Sequence, residues 1–194
     1  MGVLSIKTWI LLKKIYYVST AFFLLLVMNS CDSQRKSEID LIFEQTKKVE
    51  ILAYLDRNQW EKEDNPDYFK LDFIKNNKVK INKKYLRNSI VLDSFQIKKL
   101  KEGLVNCQIE NKELLCYDPR HLILFYNNEN KIFGYIELCF VCNESHYSPN
   151  MEILSKCALR QEKLFKEFGI TYFNDTEEEK VEFMKRMKEI KNRE

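Results

Sequence analysis

The sequence predicts an α+β fold: a small antiparallel β-sheet with a central hairpin and helices packed on one face. Three observations carry this. His121 to Tyr126 and Ile132 to Phe140 are apolar, β-rich runs separated by Asn127-Asn128-Glu129-Asn130, the pattern of a hairpin. Several amphipathic segments with helix caps flank that hairpin. Aromatic residues make up 13% of the chain while Gly and Pro number only 4 and 3, a composition that favours a packed globule over a disordered tether.

The elements follow in order. Ser37 caps a short helix from Glu38 to about Lys47. Val49 to Leu55 is apolar and partly β-branched, which favours a strand. Residues 56–70 are polar, with Asn65-Pro66-Asp67 as a turn. Residues 71–92 hold one or two short strands, of which Ser89 to Leu92 is the best formed. Asp93 or Ser94 then caps a helix with Ile97, Leu100 and Leu104 on one face. After the hairpin, in which Gly134 marks a bulge, Ser148-Pro149 opens another helix. Its face is Leu154, Cys157, Ala158, Leu164, Phe165 and Phe168, and Gly169 ends it. A charged last helix starts near Thr176, with Glu177-Glu178-Glu179 suited to a helix N-terminal turn.

The first 31 residues differ in kind from the rest. Lys13 and Lys14 precede an uncharged, mostly apolar run from Ile15 to Met28, and Asn29-Ser30-Cys31 follows. A basic region, a short apolar region and a small residue before the break read as an export signal over 1–30. A membrane-spanning helix fits less well. Fourteen residues span about 21 Å, short of the roughly 30 Å hydrocarbon core. A plain secretory signal lacks its A-x-A site. N-myristoylation from Gly2 needs Ser or Thr where Ile6 stands. The stretch resembles the lipobox of bacterial lipoproteins. That resemblance implies cleavage before Cys31 and fatty acylation of its thiol, with palmitate-type chains seated in the lipid bilayer. It also implies a protein held at the outer membrane, facing periplasm or cell surface. Residues 31–37 then form a lipidated tether and 38–194 a single globular domain.

Removing the leader changes the charge. Residues 1–30 hold three of the 32 basic residues and none of the 29 acidic ones, which leaves 29 of each. Nucleic acid binding needs a one-sided basic field, and the balanced total gives no sign of one, so no nucleic-acid partner is expected. The protein or small-molecule partner stays open.

Five cysteines remain after Cys31, so an odd thiol is left over. Cys157, on an apolar helix face, is the expected free one. With Asn127 opposite Asn130, Cys116 falls opposite Val141, next to Cys139 and Cys142, and Arg120 falls opposite Glu137. Three readings are open. The first is a structural disulfide, Cys116 with Cys139 or Cys142, or Cys107 with Cys116, as an oxidising compartment permits. The second is a metal site for zinc, with Cys139 and Cys142 as a knuckle, Cys116 as third ligand and His121 or Cys107 as fourth. The third is a thiol-redox pair, Cys139 with Cys142, which lacks the helix N-terminus that lowers such a thiol's pKa.

The run Cys116-Tyr117-Asp118-Pro119-Arg120-His121, then Phe125-Tyr126, then Gly134 to Cys142 looks like a pattern in small bacterial lipoproteins. There a CY-x-PRH segment leads into a strand ending FY, and a second strand ends CF-x-C. The resemblance implies that Arg120, His121 and the three cysteines share one locale. It implies no activity. Read as single residues, Arg120 is expected to pair with a carboxylate. His121 is expected to be a half-buried imidazole bonded to backbone or carboxylate, with a binding role as the alternative. His146 is expected in a solvated loop. No nucleophile triad, phosphate loop or H-E-x-x-H motif appears in the sequence, so a binding or structural role is expected over turnover.

Overall fold

The computed structural model describes residues 16, 35–64, 70–71, 74–107 and 116–191. The chain forms two compact units, residues 1–41 and 42–194. The leader, Cys31 and the turn at 65–67 lie outside the described residues. The helical run 35–45 (α1) precedes strand β1, Lys48–Tyr54. A 3-10 turn at Arg57–Gln59 follows, then a two-stranded ribbon of β2, Ile74–Lys75, and β3, Lys78–Val79. Strand β4, Leu86–Val91, leads into α2, Ser94–Val105. Strands β5, His121–Tyr126, β6, Ile132–Cys139, and β7, Glu144–Tyr147, form a meander. Helices α3, Glu152–Ala158, α4, Glu162–Glu167, and α5, Glu177–Lys191, complete the chain.

The main sheet has five strands in the order β4-β1-β5-β6-β7, all antiparallel. The α+β class expected from the sequence is thus the class observed. Strand β5 is central, and all six of its residues are buried, because both faces of the sheet are covered. On one face Leu52, Tyr54, Leu122, Leu124, Tyr126 and Ile132 cluster with Trp60 and Tyr85. The segment between β1 and β4 covers them, with Trp60 stacked on Tyr85 at 4.8 Å. Side chains alternate along a strand, so Val49, Ile51, Ala53, Ile123 and Phe125 point the other way, toward the helices. Phe43 meets Phe125 edge-on, and Met151 lies against Gly134, where a Cβ would collide with its methyl.

Local chemistry explains the boundaries. Asp93 and Gln96 form a capping box at α2. Thr176 and Glu179 exchange the same pair of bonds ahead of α5. Gly169 takes φ +102°, the left-handed turn that stops α4.

Three expectations need correction. The long helix after Ser148 is two, because the chain turns at Leu159–Gln161 and the Gln161 side chain donates to the Cys157 and Gly103 carbonyls instead. His146 sits on β7, half-buried, not in a solvated loop. The hairpin register is also shifted. The loop closes with Asn127 N–H donating to Lys131, not Asn130, and a bulge beside Phe133 adds a residue. The two offsets sum to a two-residue slip. Every side chain keeps its face, but Glu137 faces Leu122 rather than Arg120.

Candidate functional site

The segment that enters β5 carries a chain of contacts, one for almost every residue. Cys116 is bonded to Cys142, with Cα atoms 5.4 Å apart. The Tyr117 hydroxyl donates to Glu137 Oε2 at 2.7 Å, and its ring stacks on His146 at 4.0 Å. The Asp118 carboxylate accepts from Asn58 at 2.9 Å. Arg120 reaches Asp175 at 2.8 Å and Asp56 at 3.2 Å. His121 Nε2 lies 2.9 Å from the Tyr172 carbonyl. Alternation sends these groups to opposite sides of the strand, so one short run latches the 3-10 turn, the end of β6 and the tail after α4 onto the sheet.

Glu137 is the centre of the first cluster. It is fully buried, and three hydrogen-bond donors and one ion-pair contact converge on its carboxylate. Tyr54 Oη donates at 2.6 Å, Tyr117 at 2.7 Å, and Arg57 approaches through Nη2 at 3.0 Å and Nε at 2.8 Å. Burial pushes the Glu137 carboxyl up, and the guanidinium and the two phenols oppose that shift. Burial and the neighbouring carboxylate likewise push the Tyr54 phenol up. A carboxylate held by three donors and a guanidinium is the pairing that a buried charge needs. Arg57 also donates to the Lys70 carbonyl at 2.9 Å, which ties down the chain beyond the turn.

The second cluster lies closer to solvent. Arg120 is held by Asp56 and Asp175, and Asp175 also accepts from Gln59 and from the Tyr172 hydroxyl. Burial opposes the charge on Arg120, but bonding to Asp175 and the fields of both carboxylates hold its pKa above the ordinary value. Burial raises Asp56 to about 6, against the Asn58 N–H and Arg120. For Asp175 burial is outweighed by Arg120 and Tyr172, and its pKa is lowered. Tyr172 continues to Glu179, which pairs with Arg87 at 2.6 Å, so α5 is tied to the sheet's edge.

His121 is buried among Phe140, Phe165 and Phe173. Burial lowers its pKa to about 4, and the Tyr172 carbonyl resists. The imidazole is therefore neutral near pH 7. It takes part in packing and in one backbone contact.

The cysteines correct two expectations. Cys157 is not the odd thiol: it is bonded to Cys107, with Cα atoms 5.6 Å apart, because the end of α2 docks on α3. Cys139 is the free one, buried beneath the turn, its Sγ accepting the Cys142 N–H at 3.1 Å. Burial raises its pKa, so its thiol is a poor nucleophile. Of the expected metal set, Cys116, Cys139 and Cys142 lie together, while Cys107 and His121 lie elsewhere. Cys107 is spent on Cys157 and His121 faces the helices, so neither serves as a fourth ligand. Cys116, Asp118 and Cys142 do lie with ligand atoms within 4.8 Å of one another. Two of those atoms are joined as a disulfide, and zinc takes thiolates.

Sequence reading missed Arg57, Tyr54, Asp56 and Asp175, named Tyr117 only within the pattern, and gave Glu137 to Arg120 instead of Arg57. Arg57 and Glu137 stand 80 residues apart, and no local pattern links them. The one available signal was the Glu inside the apolar run Tyr135 to Phe140.

The fold and these clusters define a disulfide-stapled α+β domain built on one antiparallel sheet. No family model, no curated protein and no solved structure matches the chain.

Proposed function

We propose that the chain is a bacterial lipoprotein, its leader removed before Cys31 and its domain held on the outer membrane by acyl chains on that cysteine. The observation that carries this is Cys31 placed directly behind a basic and apolar leader. The two disulfides support it, because they belong to an oxidising compartment and not to the cytosol. Among the described residues no helix is long and apolar enough to cross a membrane. The domain acts by binding or by structure. Arg120 and His121, the residues of the pattern most suited to a ligand, are engaged with Asp56, Asp175 and the Tyr172 carbonyl.

Cys31→Ser tests the anchor. Expressed as the full chain in a Gram-negative host, the variant should fold and leave the membrane fraction, while the parent should stay there and carry the added mass of fatty chains. A variant that remains in the membrane, or a parent with a bare thiol at Cys31, overturns the reading.

A second reading, a metal or thiol-redox module, is favoured by the closeness of Cys116, Asp118 and Cys142 and by the thiol of Cys139 beside them. Counting thiols and zinc separates the two. The stapled domain should show one thiol, Cys139, that reacts with maleimide only after unfolding, and no zinc. Zinc at one per chain, lost together with the fold on chelation, supports the metal site instead.

A further inference from the structure

The face of the sheet away from the helices is not sealed along its whole length. Between the β2–β3 ribbon and strands β4, β1 and β5 runs a cleft of about 440 Å³. That falls within the roughly 300–1,000 Å³ of small-molecule sites. Its floor is apolar: Leu52 and Leu124 from the sheet, Val79 and Ile81 from the ribbon, and Leu86 from β4. Val79, Ile81 and Leu86 are only partly buried, so the floor meets solvent.

Its lip is basic. Residues 75–84 contain five lysines and no acidic residue, in a chain whose basic and acidic residues balance over 31–194 as a whole. Lys84 is paired with Glu61 and Asp64. Lys78, which lines the cleft, has no carboxylate within ion-pair distance among the described residues. Lys48 enters from the opposite wall, lying over the Tyr126 ring at 3.6 Å. Among the described residues that line the cleft, the one acidic group is Glu50. It is already held by the Tyr126 hydroxyl at 2.8 Å, by Ser89 at 2.9 Å and by Lys48 at 3.6 Å. Among those residues the charge left over is that of Lys78.

We propose that this cleft binds an amphiphilic anion, its apolar chain laid on the partly exposed Val79, Ile81 and Leu86 and its charged end at Lys78, beside the Lys48–Glu50 pair. Apolar side chains supply the affinity, and the Lys78 ammonium selects an anionic end over a neutral one. Asn76 and Asn77 take φ 52° and 58°, the geometry of a tight two-residue hairpin, which places the exposed Lys78 directly after the turn, at the cleft's rim. The assignment rests on the binding reading of the domain and not on the anchor. A free fatty acid and an acidic phospholipid offer the same chemistry.

The test uses the full chain in nanodiscs of zwitterionic lipid. A diazirine-bearing dodecanoate is added, the sample is irradiated, and labelled peptides are mapped by mass spectrometry. Label should concentrate on peptides that carry Val79, Ile81 and Leu86. Lys78→Glu should cut it at least fivefold, and Leu86→Trp, which fills the cleft, should abolish it. Lys156→Glu, on α3, should change nothing. Thermal melts of all variants should match the parent, since Lys78 is exposed and Leu86 is only partly buried. Label carried instead by a photoactivatable phosphatidylglycerol in the nanodisc, with the same loss in Lys78→Glu, supports the site and makes the bilayer its source. Label spread evenly over the chain, label unchanged in Lys78→Glu, or equal labelling by the matching dodecanol overturns it. None of these results bears on whether Cys31 is acylated.

Discussion

Asp56 and Arg57 are neighbours in the chain, yet they serve two ion-pair networks that differ in how deeply they are sealed. Arg57 turns inward to Glu137, and both side chains have no exposed surface. Asp56 turns outward to Arg120, where side-chain exposures of 7% and 13% leave some contact with water. The inner network has one carboxylate and converging donors. The outer one has two carboxylates around a single guanidinium, and Asp175 is the better placed of them. One turn thus joins a site where charge is fully matched to one where it is shared. The fold tolerates the imbalance only near the surface, where solvent screens the repulsion between Asp56 and Asp175.

The largest expected effect comes from breaking the sealed pair. Arg57→Met strands the Glu137 carboxylate without its cation and should cost about 3–5 kcal/mol in urea unfolding. Arg120→Met removes a partner from groups that water still reaches and should cost about 1–3 kcal/mol. The double variant Arg57→Met/Glu137→Leu should recover much of the inner loss, because the uncompensated charge is gone. Equal costs for the two single Arg variants would mean that the networks do not differ in kind.

Much of the fold was legible because it is local. The β5–β6 hairpin, the capped α2, and Gly169 ending α4 all follow from a few adjacent residues. Strand β7 was not legible, since Glu144-Ser145-His146-Tyr147 is short and polar and becomes a strand only by pairing with β6. The cover of the second sheet face was missed for a similar reason: Trp60 and Tyr85 sit in polar surroundings and meet through the sheet. For the candidate site, the odd cysteine count required a free thiol, but nothing along the chain told Cys139 from Cys157. That choice depends on where α2 docks. The ion pairs bridge 55 to 92 residues, and they were the least legible part.

The disulfides sharpen the comparison. Cys116–Cys142 flanks Tyr117 and so braces the sealed network, whereas Cys107–Cys157 joins α2 to α3 away from it. Chain entropy alone ranks them the other way, since they close loops across 26 and 50 residues respectively. Removing either pair as Ser/Ser should cost about 2–4 kcal/mol, slightly more for Cys107–Cys157. Only the loss of Cys116–Cys142 should couple to Tyr117→Phe, by about 0.5–1 kcal/mol in a double-mutant cycle. Equal coupling from both disulfides would show that the brace is global and not specific to Glu137.

The smallest effect is a slope. His121 titrates near 4 in the fold and near 6.5 when unfolded, so between those values the unfolded chain binds more protons. Its contribution to stability is present above 6.5 and is lost as pH falls toward 4. Asp56 runs the opposite way: it titrates near 6 in the fold and 3.8 unfolded, so the folded chain binds more protons. Its contribution is present below 3.8 and is lost as pH rises toward 6. Each slope reaches at most about 1.4 kcal/mol per pH unit. Between pH 4 and 6 these two contributions oppose one another, and each variant is read as its difference from the parent. Asp56→Asn keeps an acceptor for the Asn58 N–H and removes one titration, so its stability relative to the parent should climb with pH across that window. His121→Phe should show the reverse, a decline relative to the parent from pH 4 to 6. Parallel curves for all three proteins would mean that neither group is held where the burial of the outer network and of the Phe140, Phe165 and Phe173 cage places it.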